Sequence, residues 1–341
     1  MNRPSLPIEI ILEVTGRCRQ VCPYCTGPRI PDVPLKDIIK TIDDVSQSGV
    51  KAIRITGGEP LLHPDIGQIL TYVKSKKLDT IINTTAENIS PALMKTIIST
   101  VDVAHISVQG YNEKTNAAYT HTKFPFLEKI RNIFTLKAHL PTVWIATVLT
   151  PSKVESFEDF LPLITKINPS AWLLQRPIDH PNEEIKQMDH EFYLKLSIKI
   201  LKAQQQGIRV FISNPIPLCV TGNLNVGQKI FLGAKLDEGH LRIVYSAKGY
   251  YKPSYFIEEN LGNSLKAAWE HPFVQRLNTT DYLPSLCQQC PVIETCLGGC
   301  RAMSLRAYGS AFKADPLFDP AIAQKAQSAL DSSGLMPQKN L

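Results

Sequence analysis

Six times in its first 180 residues the chain follows a short apolar run with a stretch suited to a helix or a loop. The runs are Ile8–Val14, Ala52–Thr56, Thr80–Asn83, Val103–Val108, Val143–Leu149 and Ala171–Leu174. Helical periodicity falls at Leu35–Gln47, Ile66–Lys76, from Ser90-Pro91 onward, and at about 124–138 and 154–166. Ser90 suits an N-cap and Pro91 a first helical residue. Repeated β-then-α units predict an α/β fold, a parallel sheet with helices packed outside it. Runs rich in Ile and Val with little polar alternation predict strands buried on both faces. The pattern fits an open doubly wound sheet or a partial barrel, and in both, ligands belong at the C-terminal ends of the strands. The cysteine-rich loop after the first run, Gly57-Gly58-Glu59-Pro60, Asn83 and Ser107 all fall at such ends, which predicts a single site.

Composition narrows the class. Charged residues make up 20% of the 341 and the hydrophobic set 43%, as in an ordinary soluble globular protein of one large or two smaller domains. The net charge is +6, yet no Lys/Arg block with interleaved aromatics occurs, which argues against a nucleic-acid partner. Met1–Pro7 lacks the apolar core and cleavage site of a signal peptide, and no uncharged run approaches the ~20 residues of a membrane span. A cytoplasmic protein with no membrane partner is expected. Residues 177–189 are polar and Pro-containing and mark a hinge, followed by a long helix at about 189–206 that stops at Gly207. The expected organisation is a core at 1–180, a linker and helix at 181–210, a cysteine-bearing domain at 211–320, and a helix with a frayed tail at 321–341. Short strands, turns and cysteines are expected from Ile208 to about Pro320.

Seven of the eight cysteines stand in two clusters with ligand-like spacing, so metal is favoured over disulfides. Cys18-x3-Cys22-x2-Cys25 puts three thiolates on one loop, with Tyr24 before the last. Zinc and [4Fe–4S] sites normally take four protein ligands. Three close thiolates without a nearby His point to a cube with one iron left open, the alternative being a zinc site completed elsewhere. The two glycines of Thr56-Gly57-Gly58-Glu59-Pro60 permit positive φ and close approach of the backbone to a ligand. Alone, that motif could be a turn.

Together these residues resemble the radical S-adenosylmethionine (SAM) superfamily, whose members carry C-x3-C-x-aromatic-C after the first strand and a GGE-type motif after the second. The resemblance implies a partial (β/α)6 barrel with a smaller C-terminal α+β iron–sulfur domain. It implies that Cys18, Cys22 and Cys25 hold a [4Fe–4S] cluster whose open iron is chelated by SAM. Gly57, Gly58 and Glu59 would receive the SAM amino group, with Tyr24 and Pro60 part of the same motifs. Asn83 and Ser107 match positions that line the SAM site. Ile106-Ser107-Val108-Gln109-Gly110 is similar to the S-x-D-G element, with Gln109 where Asp is usual.

Cys287-x2-Cys290-x5-Cys296-x3-Cys300 could serve a zinc ribbon, but behind such a core it resembles the SPASM auxiliary-cluster domain. Gly298-Gly299-Cys300-Arg301-Ala302 and Ala314-Asp315-Pro316 extend the match. Leu232, Ser254 and Phe318 stand where a full SPASM domain has three further cysteines. The resemblance therefore implies one auxiliary [4Fe–4S] cluster, held by Cys287, Cys290, Cys296 and Cys300. Cys219 lies between Leu218 and Val220 and has three readings: a buried apolar residue, a hydrogen-atom donor to a substrate radical, or a substitute ligand.

The resemblance further implies reductive cleavage of SAM to a 5′-deoxyadenosyl radical, driven by a low-potential donor of the flavodoxin or ferredoxin type. That radical would take hydrogen from a substrate, and the outcome would be epimerisation or oxidation and cross-linking. A peptide natural product is placed ahead of a sugar or cofactor precursor. The cysteine loop begins at residue 18, so no leader-binding domain is expected before it. A non-enzymatic electron-transfer module is the other class, and the complete SAM-site motifs speak against it.

Overall fold

The computed structural model describes residues 4–25, 27, 30–178, 187–235 and 239–330. Most of the hinge expected at 177–189, and the tail from 331, lie outside the described residues. Two compact units are present: Pro4–Ala146 with Leu241–His271, and Thr147–His240 with Pro272 onward.

The first unit is built on β1 (Glu9–Thr15), β2 (Ala52–Gly57), β3 (Asp79–Thr84), β4 (Val103–Ser107) and most of β5 (Thr142–Val148). They lie in the order β5-β4-β3-β2-β1, each pair parallel. The crossover helices include Leu35–Ser48, Ile66–Ser75, Pro91–Thr100 and Phe126–His139. Ser90 accepts from the Leu93 N–H, so the predicted cap forms. Ile38, Ile42 and Val45, and Ile66, Ile69, Leu70 and Val73, are the buried stripes that helical spacing demands.

Polar alternation is stronger than the sequence led us to expect. Strand residues alternate faces with period two. Ile10, Leu12, Ile53, Ile55, Ile82, Ala104, Ile106, Val143 and Ile145 share one face, all buried. Glu9, Glu13, Arg54, Asn83, His105 and Trp144 share the other. Most of these polar groups tolerate burial by bonding to one another, while His105 Nε2 is left without a hydrogen-bond partner. Arg54 donates to both Glu9 oxygens, at 2.6 and 3.1 Å, and to Asn83 Oδ1 at 3.0 Å. His105 Nδ1 lies 3.2 Å from the same Asn83 oxygen. Lys252 reaches Glu13 at 3.3 Å.

Lys252 comes from a segment the local pattern did not place. β8 (Arg242–Tyr245) pairs parallel with β1, from Glu9↔Arg242 to Leu12↔Tyr245, and β9 (Tyr251–Lys252) pairs antiparallel with β8.

In the second unit β6 (Ala171–Gln175) pairs parallel with β7 (Val210–Ile212). Trp172 anchors the helix Phe157–Ile167, its ring stacked 5.1 Å from Phe157 and 5.8 Å from Phe160, and its Nε1 donates to Thr147 Oγ1 at 2.9 Å. After β7 the expected short strands of this unit are instead short helices: the 3-10 turn Leu218–Thr221, then Leu224–Ile230, Ser285–Gln288, Ile293–Cys296, Arg301–Tyr308 and Pro320–Ser328. Buried Arg301 ties their loops together, donating to the carbonyls of Gly298 at 2.6 Å and Gly299 at 3.2 Å and to that of Lys313. Among the described residues no helix is long and apolar enough to cross a membrane.

Candidate functional site

The first cysteine cluster sits where β1 leaves the sheet. Pairing of β1 with β2 shifts register between Glu13 and Thr15, and Thr15 then meets Gly57. Two backbone bonds of 2.7 Å follow, Gly58 N–H to the Thr15 carbonyl and Glu59 N–H to the Arg17 carbonyl. A Cβ on Gly57, whose φ is +147°, would lie 2.1 Å from the Thr15 oxygen, and one on Gly58 would lie 2.4 Å from the Arg17 oxygen. The glycines therefore admit the chain that leads into Cys18, a requirement met before any ligand is considered.

Within the loop the Cys25 N–H closes a turn on the Cys22 carbonyl at 3.0 Å, and the Gly27 N–H points at Cys25 Sγ at 3.4 Å. Cys18 and Cys25 are exposed and Cys22 is half-buried. Burial pushes the Cys22 thiol up to about 11, and the Cys25 and Cys18 thiols beside it push the same way. Three thiols on one short loop are a donor set for a cluster, although among the described residues no three His, Cys, Asp or Glu side chains already stand close enough to hold a single ion. Burial likewise raises the Tyr24 phenol, with the Cys22 thiol next to it.

Cys18 lies on the wall of a cavity of about 200 Å³ that is also lined by Gln20, Glu59, Thr85, Glu87 and Asn88. The Glu59 carboxylate is already engaged: it accepts from Leu61 N–H at 3.1 Å, Thr84 Oγ1 at 2.7 Å and Thr85 N–H at 2.6 Å. Burial raises its pKa while those donors lower it. Pro60 opens the 3-10 turn Pro60–Leu62 that follows. Asn83 and Ser107 are not on this wall. Asn83 belongs to the Glu9–Arg54–His105 row, and Ser107 Oγ accepts from Gln109 Nε2 at 2.8 Å. Gln109 stands where a carboxylate could not donate.

Sequence reasoning missed Gln20, Thr85, Glu87 and Asn88. Glu87 accepts from Gln20 Nε2 at 2.7 Å and Thr122 Oγ1 at 2.9 Å, and pairs with buried Lys129 at 3.5 Å. Three of the missed residues follow the end of β3, so the strand-end rule applied to 84–88 would have found them. Lys129 also left a signal. It occupies a core position in the stripe Phe126, Ile130, Ile133, Leu136, where a charge demands a partner.

The second cluster is in the other unit. Cys287, Cys290 and Cys296 line one cavity of about 360 Å³, and Cys219 joins them. Burial pushes the Cys287 thiol up to about 12, with Cys296 and Cys290 adding to it. The rest of the wall is apolar apart from Gln327. Among the described residues no three His, Cys, Asp or Glu side chains stand close enough to hold a single ion, so what these four thiols share is a cavity. Its donor set is that of a cluster, since four thiolates are the usual complement of a [4Fe–4S] cube. Cys300 is not on its wall. It caps the helix Arg301–Tyr308, its Sγ accepting from the Met303 N–H at 3.5 Å and its own N–H donating to Asp315 at 2.9 Å.

A three-thiol loop after β1 and a Gly-Gly-Glu turn after β2, on a parallel β/α sheet, define a class of protein. Residues 12–164 match the Radical SAM superfamily. Among curated proteins, the antilisterial bacteriocin subtilosin biosynthesis protein AlbA of Bacillus subtilis (strain 168) is 26% identical over 201 residues, 54% of this chain and 45% of AlbA. The match thus spans less than half of that relative. Among solved structures, Streptococcus suis SuiB bound to S-adenosylmethionine superposes with a TM-score of 0.71 at 17% identity, over 94% of this chain and 78% of SuiB. Native anSMEcpe with bound AdoMet gives 0.73 at 14% identity, over 95% and 96%. These likenesses show the fold, the α/β partial barrel of the radical SAM type.

Proposed function

We propose that the chain is a radical SAM enzyme that modifies a ribosomally made peptide by epimerisation or by oxidation and cross-linking. The observation that carries it is the junction of β1 and β2, where the Gly-Gly-Glu backbone is bonded to the residues that lead into Cys18. Cys18, Cys22 and Cys25 are the residues to hold a [4Fe–4S] cluster, leaving one iron for SAM. A cluster held there would supply the electron for reductive cleavage of SAM. The chain's own residues do the rest. Gly57 and Gly58 fix the loop against β1, Glu59 braces the ends of β2 and β3, and Glu87, paired with Lys129, holds Gln20 beside the cysteines. Residues 211–320, which the fold divides between the two units, include the auxiliary-cluster cysteines, a flavodoxin or ferredoxin supplies electrons, and the protein works in the cytoplasm.

The peptide substrate is supported by what the similar proteins are named for: AlbA for bacteriocin biosynthesis, and SuiB in a complex with its precursor peptide SuiA. The test is anaerobic. Reconstituted, reduced protein given SAM is expected to release 5′-deoxyadenosine, and the Cys18/Cys22/Cys25→Ala variant none. Equal release from both would overturn the assignment. A precursor peptide treated in D2O then separates the outcomes, since epimerisation exchanges one hydrogen for deuterium and oxidation removes two hydrogens.

A further inference from the structure

We infer that Cys219, in place of Cys300, is the fourth thiolate of the C-terminal cluster. This rests on the proposal that the second cysteine group holds iron and sulfide, and it names which residues do so.

Three observations converge on it. Cys219 lines the same cavity as Cys287, Cys290 and Cys296, and among the described residues the only other polar side chain on that wall is the Gln327 amide, a far weaker ligand than a thiolate. The turn that carries Cys219 already serves the site, because the Leu218 N–H donates to Cys296 Sγ at 3.5 Å. Bonds of this kind to a ligating sulfur orient it and tune the metal. That turn is also gripped from two sides. A Cβ on Gly227 would lie 2.2 Å from the Leu218 oxygen, and one on Gly299 would lie 2.8 Å from Pro217 Cδ.

Cys300 has other company. Its thiol is fully buried at the start of the helix Arg301–Tyr308, and its backbone N–H is held by Asp315. Asp315 in turn pairs with Arg176 at 2.7 Å. A cap and a buried ion pair explain the residue without a cluster. A ligating Cys219 has its sulfur committed to iron, so it is not the hydrogen-atom donor, and quenching of a substrate radical falls to another group.

The experiment uses the full chain carrying Cys18/Cys22/Cys25→Ala, reconstituted anaerobically with iron and sulfide. That parent should hold about 4 iron and 4 sulfide per chain and give one reduced-cluster EPR signal. Adding Cys219→Ala should remove most of the iron and the signal, whereas Cys300→Ala should keep both, with circular dichroism reporting that each variant is folded. Cys219→Ser, which leaves an oxygen donor in place, should retain iron with a shifted EPR spectrum. Full iron and an unaltered spectrum in both Cys219 variants would overturn the assignment, as would loss of the cluster in folded Cys300→Ala. A parent without iron would overturn the cluster itself, a failure distinct from that of the ligand choice.

Discussion

Replacing Gly57 with alanine tests the junction on which the first site depends. The added Cβ would lie 2.1 Å from the Thr15 oxygen, against 3.4 Å for ordinary contact, so the strands must part by roughly 1.3 Å. The bonds from Gly58 to Thr15 and from Glu59 to Arg17, both 2.7 Å, would then stretch to about 4 Å and cease to count. Losing two such bonds costs about 0.5–1.5 kcal/mol each. Forcing a Cβ-bearing residue to a φ of +147° adds about 1–3 kcal/mol. The total is about 2–6 kcal/mol, which at a urea m-value of ~2 kcal/mol/M lowers the midpoint by ~1–3 M. Gly49→Ala is the control. It also has positive φ, at +92°, but its nearest neighbour is Leu6 Cδ1 at 3.8 Å, so only strain of about 1–2 kcal/mol is expected. Urea unfolding followed by far-UV circular dichroism, with iron content measured on the same samples, reads both variants. Gly57→Ala should fall well below Gly49→Ala in midpoint and bind less iron at the first site. If the two variants are equal in both respects, the close approach of β1 and β2 is not what the glycines serve.

Two further outcomes follow from the buried polar groups. His105 has its pKa lowered to about 3, by burial first and then by Arg54 and Arg242. The folded state therefore keeps it neutral, while the unfolded chain takes up a proton near pH 6.5. Its contribution is complete above pH 6.5 and is lost as the pH falls toward 3, by about 1.4 kcal/mol at pH 5.5. His105→Gln should flatten the stability–pH curve between pH 6.5 and 4.5, and an unchanged slope would refute the assignment. Arg176→Met strands the buried Asp315 carboxylate, for a loss of about 3–5 kcal/mol. At ~2–4 °C per kcal/mol that lowers Tm by ~6–20 °C in calorimetry, and a shift under ~2 °C would show that Asp315 finds another partner.

The amino-acid sequence by itself determined the order of the six strands in the first 180 residues, the Ser90 cap, and the placing of the cysteine loop and the Gly-Gly-Glu turn at the ends of β1 and β2. Those signals are local: strand and helix periodicity, a cap beside a proline, three cysteines within one loop. Tertiary structure alone decided the rest. That Glu9 and Arg54 neutralise each other inside the sheet depends on parallel register, which no single strand states. That β8 joins β1 depends on pairing between distant stretches, and Arg242 and Lys252 reach the polar face only through it. Spacing placed Cys300 with its neighbours, yet the turn into the helix Arg301–Tyr308 carries it toward Asp315, while Pro217 and Leu218, held by two glycines, bring Cys219 to the cavity. A motif records which residues are close along the chain. Which thiols meet in space is set by packing, because steric fit and satisfied polar groups, not sequence distance, determine where a folded chain places them.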